Sequence, residues 1–277
     1  MDYDEFARLL SQQGEELYRD MPWRQDTRPY YVLVSELMLQ QTQVDRVIPK
    51  FNAFIAAFPN EQALATVSLA DVLKLWQGLG YNRRAKFLHD AAKKVAQLGD
   101  FPDDEVGLVA LPGVGKNTAG AMLAYAYNKP AIFIETNVRA VYIHHFFNDQ
   151  DVVDDKDIRK VLEQTIDHKH PREFYWALMD YGSYLKKQGI RPSRSKHYKK
   201  QSALKGSVRE VRGQIVALLT TKDASERSLR EAVHADERFA EALGGLIRDG
   251  LVAKTGNTLH LVKWSVLGLW QRREIHT

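Results

Sequence analysis

Two glutamates and a glycine turn are the parts of this chain best suited to chemistry. Glu36 is the one acid in the apolar run Val34-Ser35-Glu36-Leu37-Met38-Leu39. A carboxyl lodged among such neighbours loses hydration, so its pKa rises and it keeps a proton available for general-acid work. Glu135 begins Glu135-Thr136-Asn137, just ahead of a helical pattern, where the helix dipole favours the ionised carboxylate. An anion placed there can steady a developing positive charge or act as a nucleophile. Leu111-Pro112-Gly113-Val114-Gly115-Lys116-Asn117-Thr118-Ala119 reads as a tight turn between two helices. Its unpaired amides, the dipole of the following helix and the Lys116 cation make a place for a phosphate. Taken singly, each feature also has a plain reading: a surface glutamate, a helix-start carboxylate, an ordinary helical corner.

These groups need helices to hold them, and the pattern supplies helices almost throughout. Apolar spacing predicts them over 1–19, 30–41, 44–58, 61–65, 69–76, 82–98, 106–110, 118–127, 138–147, 155–167 and 171–187. Pro22 ends the first, and Pro49 is placed to kink or restart the fourth. Gly78-Leu79-Gly80-Tyr81 is a turn. The segment 186–200 holds seven Lys or Arg and no acid, and reads as a linker or a DNA-facing arm that includes Arg194 and Lys196. Beyond Ser207 the pattern changes to helices over 208–219, 226–233 and 236–249. Two strands follow, 251–254 and 258–262, split by Gly256-Asn257. That end resembles a winged-helix module, which serves nucleic-acid binding or protein contact.

The whole-chain figures are permissive. At 277 residues and 44% apolar content there is material for two or three packed units. The balance of 39 basic to 35 acidic residues, with pI ≈ 9.0, leans mildly toward a polyanionic partner. The absence of cysteine excludes disulfides, thiol catalysis and any cysteine-ligated zinc or iron–sulfur centre. No apolar run is long enough for a membrane span and no signal peptide is evident, so a cytoplasmic protein is expected. His144 and His145 are adjacent and face apart on a helix, and His168 and His170 read as surface residues. No metal and no cofactor are expected.

Three motifs in order, Ser35-Glu36-Leu37-Met38-Leu39-Gln40-Gln41-Thr42-Gln43, Gly78-Leu79-Gly80-Tyr81 and Leu111-Pro112-Gly113-Val114-Gly115, follow Met21-Pro22-Trp23-Arg24. Together they resemble the helix–hairpin–helix (HhH-GPD) DNA glycosylase superfamily over residues 5 to 185, nearest to the branch that removes adenine opposite 8-oxoguanine or G. The resemblance implies a mainly α fold of two lobes with the active site in the cleft between them: a six-helix barrel over 24–130, and a second lobe of 1–23 plus 131–200. The winged-helix-like module would occupy 205–265. The expected partner is double-stranded DNA with a lesion or mismatch, bound by a monomer.

The implied reaction breaks a C1′–N bond through an oxocarbenium-like transition state, which needs an acid for the leaving base and an anion for the sugar. Glu36 takes the first role by resemblance, Glu135 the second, with Asn137 beside it as a catalytic residue. Gln40, Gln41 and Tyr81 match contacts that fill the gap left by a flipped base. Arg24, Arg83, Arg84, Lys86, Gly113, Gly115, Lys116, Asn117 and Arg139 are the further DNA-contact candidates. Three departures from the family pattern stand out. Gln188 to Ser193 replaces the cysteine loop of an iron–sulfur cluster, Glu135 replaces an aspartate, and the family's own C-terminal domain is missing. At Asn117 the bifunctional relatives carry a lysine that forms a Schiff base, so a monofunctional enzyme without strong lyase activity is expected. Alternative substrates are thymine or uracil in a mismatch, or a damaged purine. A lesion-binding protein without catalysis is the rival from another class.

Overall fold

A computed structural model describes residues 1–198, 202–234 and 236–262. In chain order the helices are α1 (Tyr3–Glu16), α2 (Pro22–Gln25), α3 (Pro29–Leu39), α4 (Val44–Ala57), α5 (Glu61–Thr66), α6 (Leu69–Trp76) and α7 (Arg83–Leu98). They continue with α8 (Glu105–Val109), α9 (Lys116–Tyr127), α10 (Thr136–Phe146), α11 (Asp155–Thr165) and α12 (Pro171–Lys187). The C-terminal elements are α13 (Val208–Leu219), β1 (Ala224–Ser225), α14 (Glu226–Ala232), α15 (Arg238–Arg248), β2 (Val252–Thr255) and β3 (Thr258–Leu261). The class is mainly α, as the periodicity predicts. The expected tail segment 264–277, and Lys199 and Lys200 of the basic arm, lie outside the described residues.

The chain forms two compact units. The first comprises 1–36, 101–110 and 114–201; the second comprises 37–100, 111–113 and the residues from Ser202 onward. The boundary therefore falls inside α3, directly after Glu36, rather than at residue 24.

In the first unit α12 is the spine, lying against α1 and α10. Small residues permit both close approaches. A Cβ at Gly14 of α1 would stand 2.8 Å from Ala177 Cβ, and one at Gly182 would stand 2.5 Å from the Asn137 carbonyl oxygen. Phe133 stacks on Tyr175 with ring centroids 3.9 Å apart, and Phe6 meets Tyr142 and Phe146 edge-on or tilted. The first pair buries aromatic surface against α12, and the second set does so between α1 and α10. Within this core Asp180 is a hub: its carboxylate accepts from Arg24 Nη1 at 2.6 Å, Arg24 Nη2 at 3.0 Å, Arg19 Nε at 2.6 Å and the Arg19 amide at 3.2 Å.

In the second unit α4 continues through Pro49, its sixth residue, so the helix does not restart there. Asn60 and Ser68 cap α5 and α6 with side-chain oxygens, satisfying amides the helices leave open. The C-terminal elements of this unit contain a three-stranded antiparallel sheet of order β1-β3-β2, with Val252 opposite Leu261 and Ala224 opposite Leu259. Gly256, at φ +58°, leads the two-residue β2–β3 turn. The sequence pattern indicated two strands. β1 is only two residues long, too short to show any alternation.

Candidate active site

Glu36 and Glu135 lie in one unit, half-buried, and neither carboxyl has a hydrogen bond or ion pair among the described residues. Burial pushes the Glu36 carboxyl well above the ordinary carboxylate range, and the charge of Glu135 pushes it further. Glu36 thus titrates in the field of Glu135. Burial also raises Glu135, but there the cations Arg139 and Lys186 pull in the opposite direction. No cation acts comparably on Glu36. The two cations thus favour the ionised form of Glu135, and nothing comparable favours that of Glu36, so the pair's proton is favoured on Glu36. This division differs in cause from the expected one. Glu135 is the N-cap residue of α10, yet its side chain makes no capping bond, and two basic side chains draw it toward the charged form. The buried Tyr125 hydroxyl stands in the same field: burial first, then the charges of Glu36 and Glu135, raise its pKa well above the ordinary value. It remains protonated.

The surroundings hold these groups in place. Asn117 Nδ2 donates to the Ile134 carbonyl at 3.0 Å, tying the start of α9 to the residue before Glu135. Arg139 forms a fork with Asp155, Nε to Oδ1 at 2.8 Å and Nη2 to Oδ2 at 2.6 Å, which fixes its charge one helical turn from Glu135. Asn137 Nδ2 makes only a weak contact to Met179 Sδ at 3.5 Å, and its Oδ1 is buried with no partner among the described residues. A buried amide oxygen without a donor is costly, and it invites a water or a ligand.

The hairpin glycines differ in kind. Gly113 has φ +78° and a Cβ there would lie 2.5 Å from Phe87 Cβ, so only glycine fits. Gly115 has φ −90° and open space around its Cα hydrogen. The helix it leads starts at Lys116, two residues earlier than the sequence pattern indicates. Gly113→Ala is expected to destabilise the chain by ~2 kcal/mol or more through strain and overlap. Gly115→Ala should leave urea stability unchanged and weaken DNA binding if a phosphate is to approach its amide. Paired urea titrations and binding isotherms of the two variants check this.

In the second unit, Gln40 and Gln41 are exposed just past the end of α3, with Gln41 at φ +60°. Tyr81 is 36% exposed at φ +48°. What braces both segments is Arg84, a buried guanidinium. Nη1 donates to the carbonyls of Leu37 at 2.6 Å, Met38 at 3.0 Å and Gln40 at 2.5 Å; Nη2 donates to Leu79 and Gly80, each at 3.1 Å. Burial pulls its pKa down to about 10. Arg84 thus satisfies the open carbonyls at the C-terminal end of α3 and locks them to the glycine turn.

Several expected phosphate contacts prove to be internal. Arg24 has a side chain 1% exposed and is committed to Asp180. Arg84 is consumed as described. Arg194 spends Nη1 on the carbonyls of Phe147 at 2.9 Å, Asn148 at 2.6 Å and Gln150 at 3.0 Å, closing the loop after α10. Arg139 belongs to Asp155. Lys196 is exposed but pairs with Asp154 at 3.2 Å. Lys116 is exposed at the first turn of α9 and lines, with Asn117, Arg159 and His168, a cavity of about 700 Å³. Arg83 is 60% exposed, 3.8 Å from Asp249. Among the described residues no three or more His, Asp or Glu side chains are grouped to hold a metal ion, and no helix is long and apolar enough to cross a membrane.

The chain is 34% identical over 265 residues to the adenine DNA glycosylase of Mycobacterium tuberculosis (strain CDC 1551 / Oshkosh), covering 86% of this chain and 87% of that one. A match to the HhH-GPD superfamily of base excision DNA repair proteins spans residues 34–168. The chain belongs to the HhH-GPD superfamily. Glu36, Tyr125, Glu135 and Asn137 all fall within the matched HhH-GPD span. The chain is also 37% identical over 173 residues to the adenine DNA glycosylase of Buchnera aphidicola subsp. Baizongia pistaciae, covering 60% of this chain and 48% of that one. It thus spans about half the length of that relative. A thermostable thymine-DNA glycosylase structure shares the HhH-GPD fold, with TM-score 0.58 at 23% identity over 65% of this chain and 86% of the other.

Tyr125, Lys186 and Asp180 were not singled out by sequence reasoning. None sits in a motif, and the partner of each lies far along the chain.

Proposed function

We propose that this chain is a monofunctional DNA N-glycosylase that releases a flipped base from duplex DNA, adenine opposite 8-oxoguanine or G. The observation that carries this reading is the unequal carboxyl pair: Glu36 holding a proton, Glu135 holding a charge beside Arg139 and Lys186. Glu36 gives its proton to the departing base, so the electrons of the C1′–N bond leave on a neutral purine. Glu135 faces the oxocarbenium-like sugar that remains, and water completes the hydrolysis. The orphaned Oδ1 of Asn137 is suited to accept a hydrogen bond from that water. Asn117, an amide bound to a carbonyl, has no amine to form a Schiff base, which supports hydrolysis without strand cleavage. Gln40, Gln41 and Tyr81 would fill the gap in the stack and meet the opposite strand. The choice of adenine rests on the relatives' names and their likeness to this chain.

The test is a panel of duplexes, each with a single mispair or damaged base, scored for free base with the unaltered chain, Glu36→Gln and Glu135→Asp. Release of adenine alone supports the reading. Release of thymine, uracil or a damaged purine moves the substrate, and tight binding with no release from any duplex leaves a lesion-binding protein.

The pH dependence follows from the same pair. Below the range in which Glu135 protonates, the anion is lost and the rate falls; above that in which Glu36 ionises, the proton is lost and the rate falls again. Both values lie above the ordinary carboxylate range, Glu36 furthest, so single-turnover release should trace a bell centred higher than two ordinary glutamates would give. The stability sign is opposite to that of a salt-bridged acid. Folded-state values above the unfolded ones mean that the folded chain binds more protons, so the contribution of these groups to stability is present at acid pH and lost as pH rises through them.

A further inference from the structure

The C-terminal elements meet residues flanking the glycine turn of their own unit at several points. Gln77 Nε2 donates to Thr220 Oγ1 at 2.5 Å, Arg83 stands 3.8 Å from Asp249, and a Cβ at Gly250 would lie 3.3 Å from Lys86 Cε. One contact falls on Tyr81 itself. The Arg209 guanidinium, from α13, lies 4.9 Å from the Tyr81 ring centroid, and its Nη1 donates to the Tyr81 hydroxyl. Its Nη2 is anchored on the Ser202 carbonyl at 2.9 Å. Arg84 holds a second guanidinium 5.4 Å from the same ring. The two cations differ in freedom. Arg84 is buried and locked to five carbonyl oxygens and the Thr42 hydroxyl, whereas Arg209 is half-buried with a hydrogen-bonded hold on one carbonyl besides Tyr81. Tyr81 needs such support. It is a non-glycine residue at φ +48°, more than a third exposed, in a turn with Gly78 at φ +88° and Gly80 at φ +71°.

We propose that Arg209 is a positioning residue for mismatch recognition: it sets the pose of Tyr81, and through it the C-terminal elements govern how the base opposite the extruded one is discriminated. The inference rests on the glycosylase reading for the role of Tyr81. A cation on the ring and a donor on the hydroxyl restrict both the ring and the phenol, so Tyr81 enters the stack already oriented, without ordering cost at the moment of binding. Arg209 acts through Tyr81 rather than on the reacting atoms.

A double-mutant cycle on the full chain tests it. Dissociation constants are measured for a duplex carrying adenine opposite 8-oxoguanine and for the same duplex with adenine opposite thymine, using the unaltered chain, Arg209→Ala, Tyr81→Ala and both together. Arg209→Lys is added as the conservative variant. Arg209→Ala is expected to shrink the ratio of the two constants about tenfold, Arg209→Lys to restore part of it, and Arg209→Ala to have no further effect once Tyr81 is alanine. A merely structural or phosphate-binding arginine would weaken both duplexes together and leave the ratio intact. The inference fails if the ratio does not change, if the change persists in the Tyr81→Ala background, or if the unaltered chain does not discriminate the duplexes. If Arg209→Ala does not fold, Arg209→Gln keeps the length and removes the charge, and is scored the same way. Failure to release any base would sink the glycosylase reading alone, because the ratio is read from binding.

Discussion

Glu36→Gln is expected to slow single-turnover release of adenine on the order of a thousandfold while leaving DNA affinity unchanged. The amide keeps the shape of the side chain and removes the proton that the leaving base needs, and losing a positioned acid costs about 10²–10⁴ in rate. A thousandfold loss corresponds to about 4 kcal/mol of transition-state stabilisation. A loss well inside that range is expected because burial favours the protonated form of Glu36 and neither carboxyl of the pair is tied up in a hydrogen bond or ion pair among the described residues. Glu36→Gln should also flatten the alkaline limb of the pH–rate profile, since the group that ionises there is gone. Quench-flow measurement of free adenine at saturating enzyme gives the rate, and fluorescence anisotropy of a labelled duplex gives the affinity.

The largest expected effect on folding comes from Asp180→Ala. Its carboxylate and the Arg24 guanidinium are each 1% exposed, and Arg19 leans on the same oxygens. Removing the acid strands a buried cation, which costs about 3–5 kcal/mol, whereas an exposed pair contributes less than about 1 kcal/mol. The urea midpoint of the first unit should fall accordingly. A double variant, Arg24→Met with Asp180→Leu, should recover much of the loss, because the penalty lies in the unpaired charge and the apolar pair fills the space. The same helix carries Met179, which touches Asn137, and Gly182, which backs against its main chain. Base release by Asp180→Ala should therefore drop even where the chain remains folded.

Much of the carboxyl site was legible in the sequence because its signals are local. Glu36 is a lone acid in an apolar helix, and Glu135 stands at a helix start beside Asn137. Gly113 is likewise a local signal, its left-handed φ marking the turn it makes. The arginines were not legible. Arg24, Arg84 and Arg194 read as phosphate contacts, yet their acceptors include a carboxylate 156 residues away and carbonyls 46 or 47 residues away. No periodicity encodes such pairings, and a guanidinium on five carbonyls looks the same in a sequence as one on DNA. The preference of Glu135 for its charge had a similar fate. Position suggested the helix dipole, while Lys186, in a segment read as an exposed arm, acts on it across 51 residues of chain. Gly115 shows the converse: neither the backbone nor the packing demands its identity.

The proposed chemistry depends on where one proton sits. Carbon-13 NMR of the chain labelled at glutamate side-chain carboxyls, with Glu36 and Glu135 assigned by the signals that Glu36→Gln and Glu135→Gln remove, follows that proton directly. The pair should titrate in two steps above the ordinary glutamate value of about 4.3, the upper one vanishing in Glu36→Gln. A Glu36 signal that ionises at the ordinary value, or an upper step that belongs to Glu135, would contradict the assignment of acid and anion.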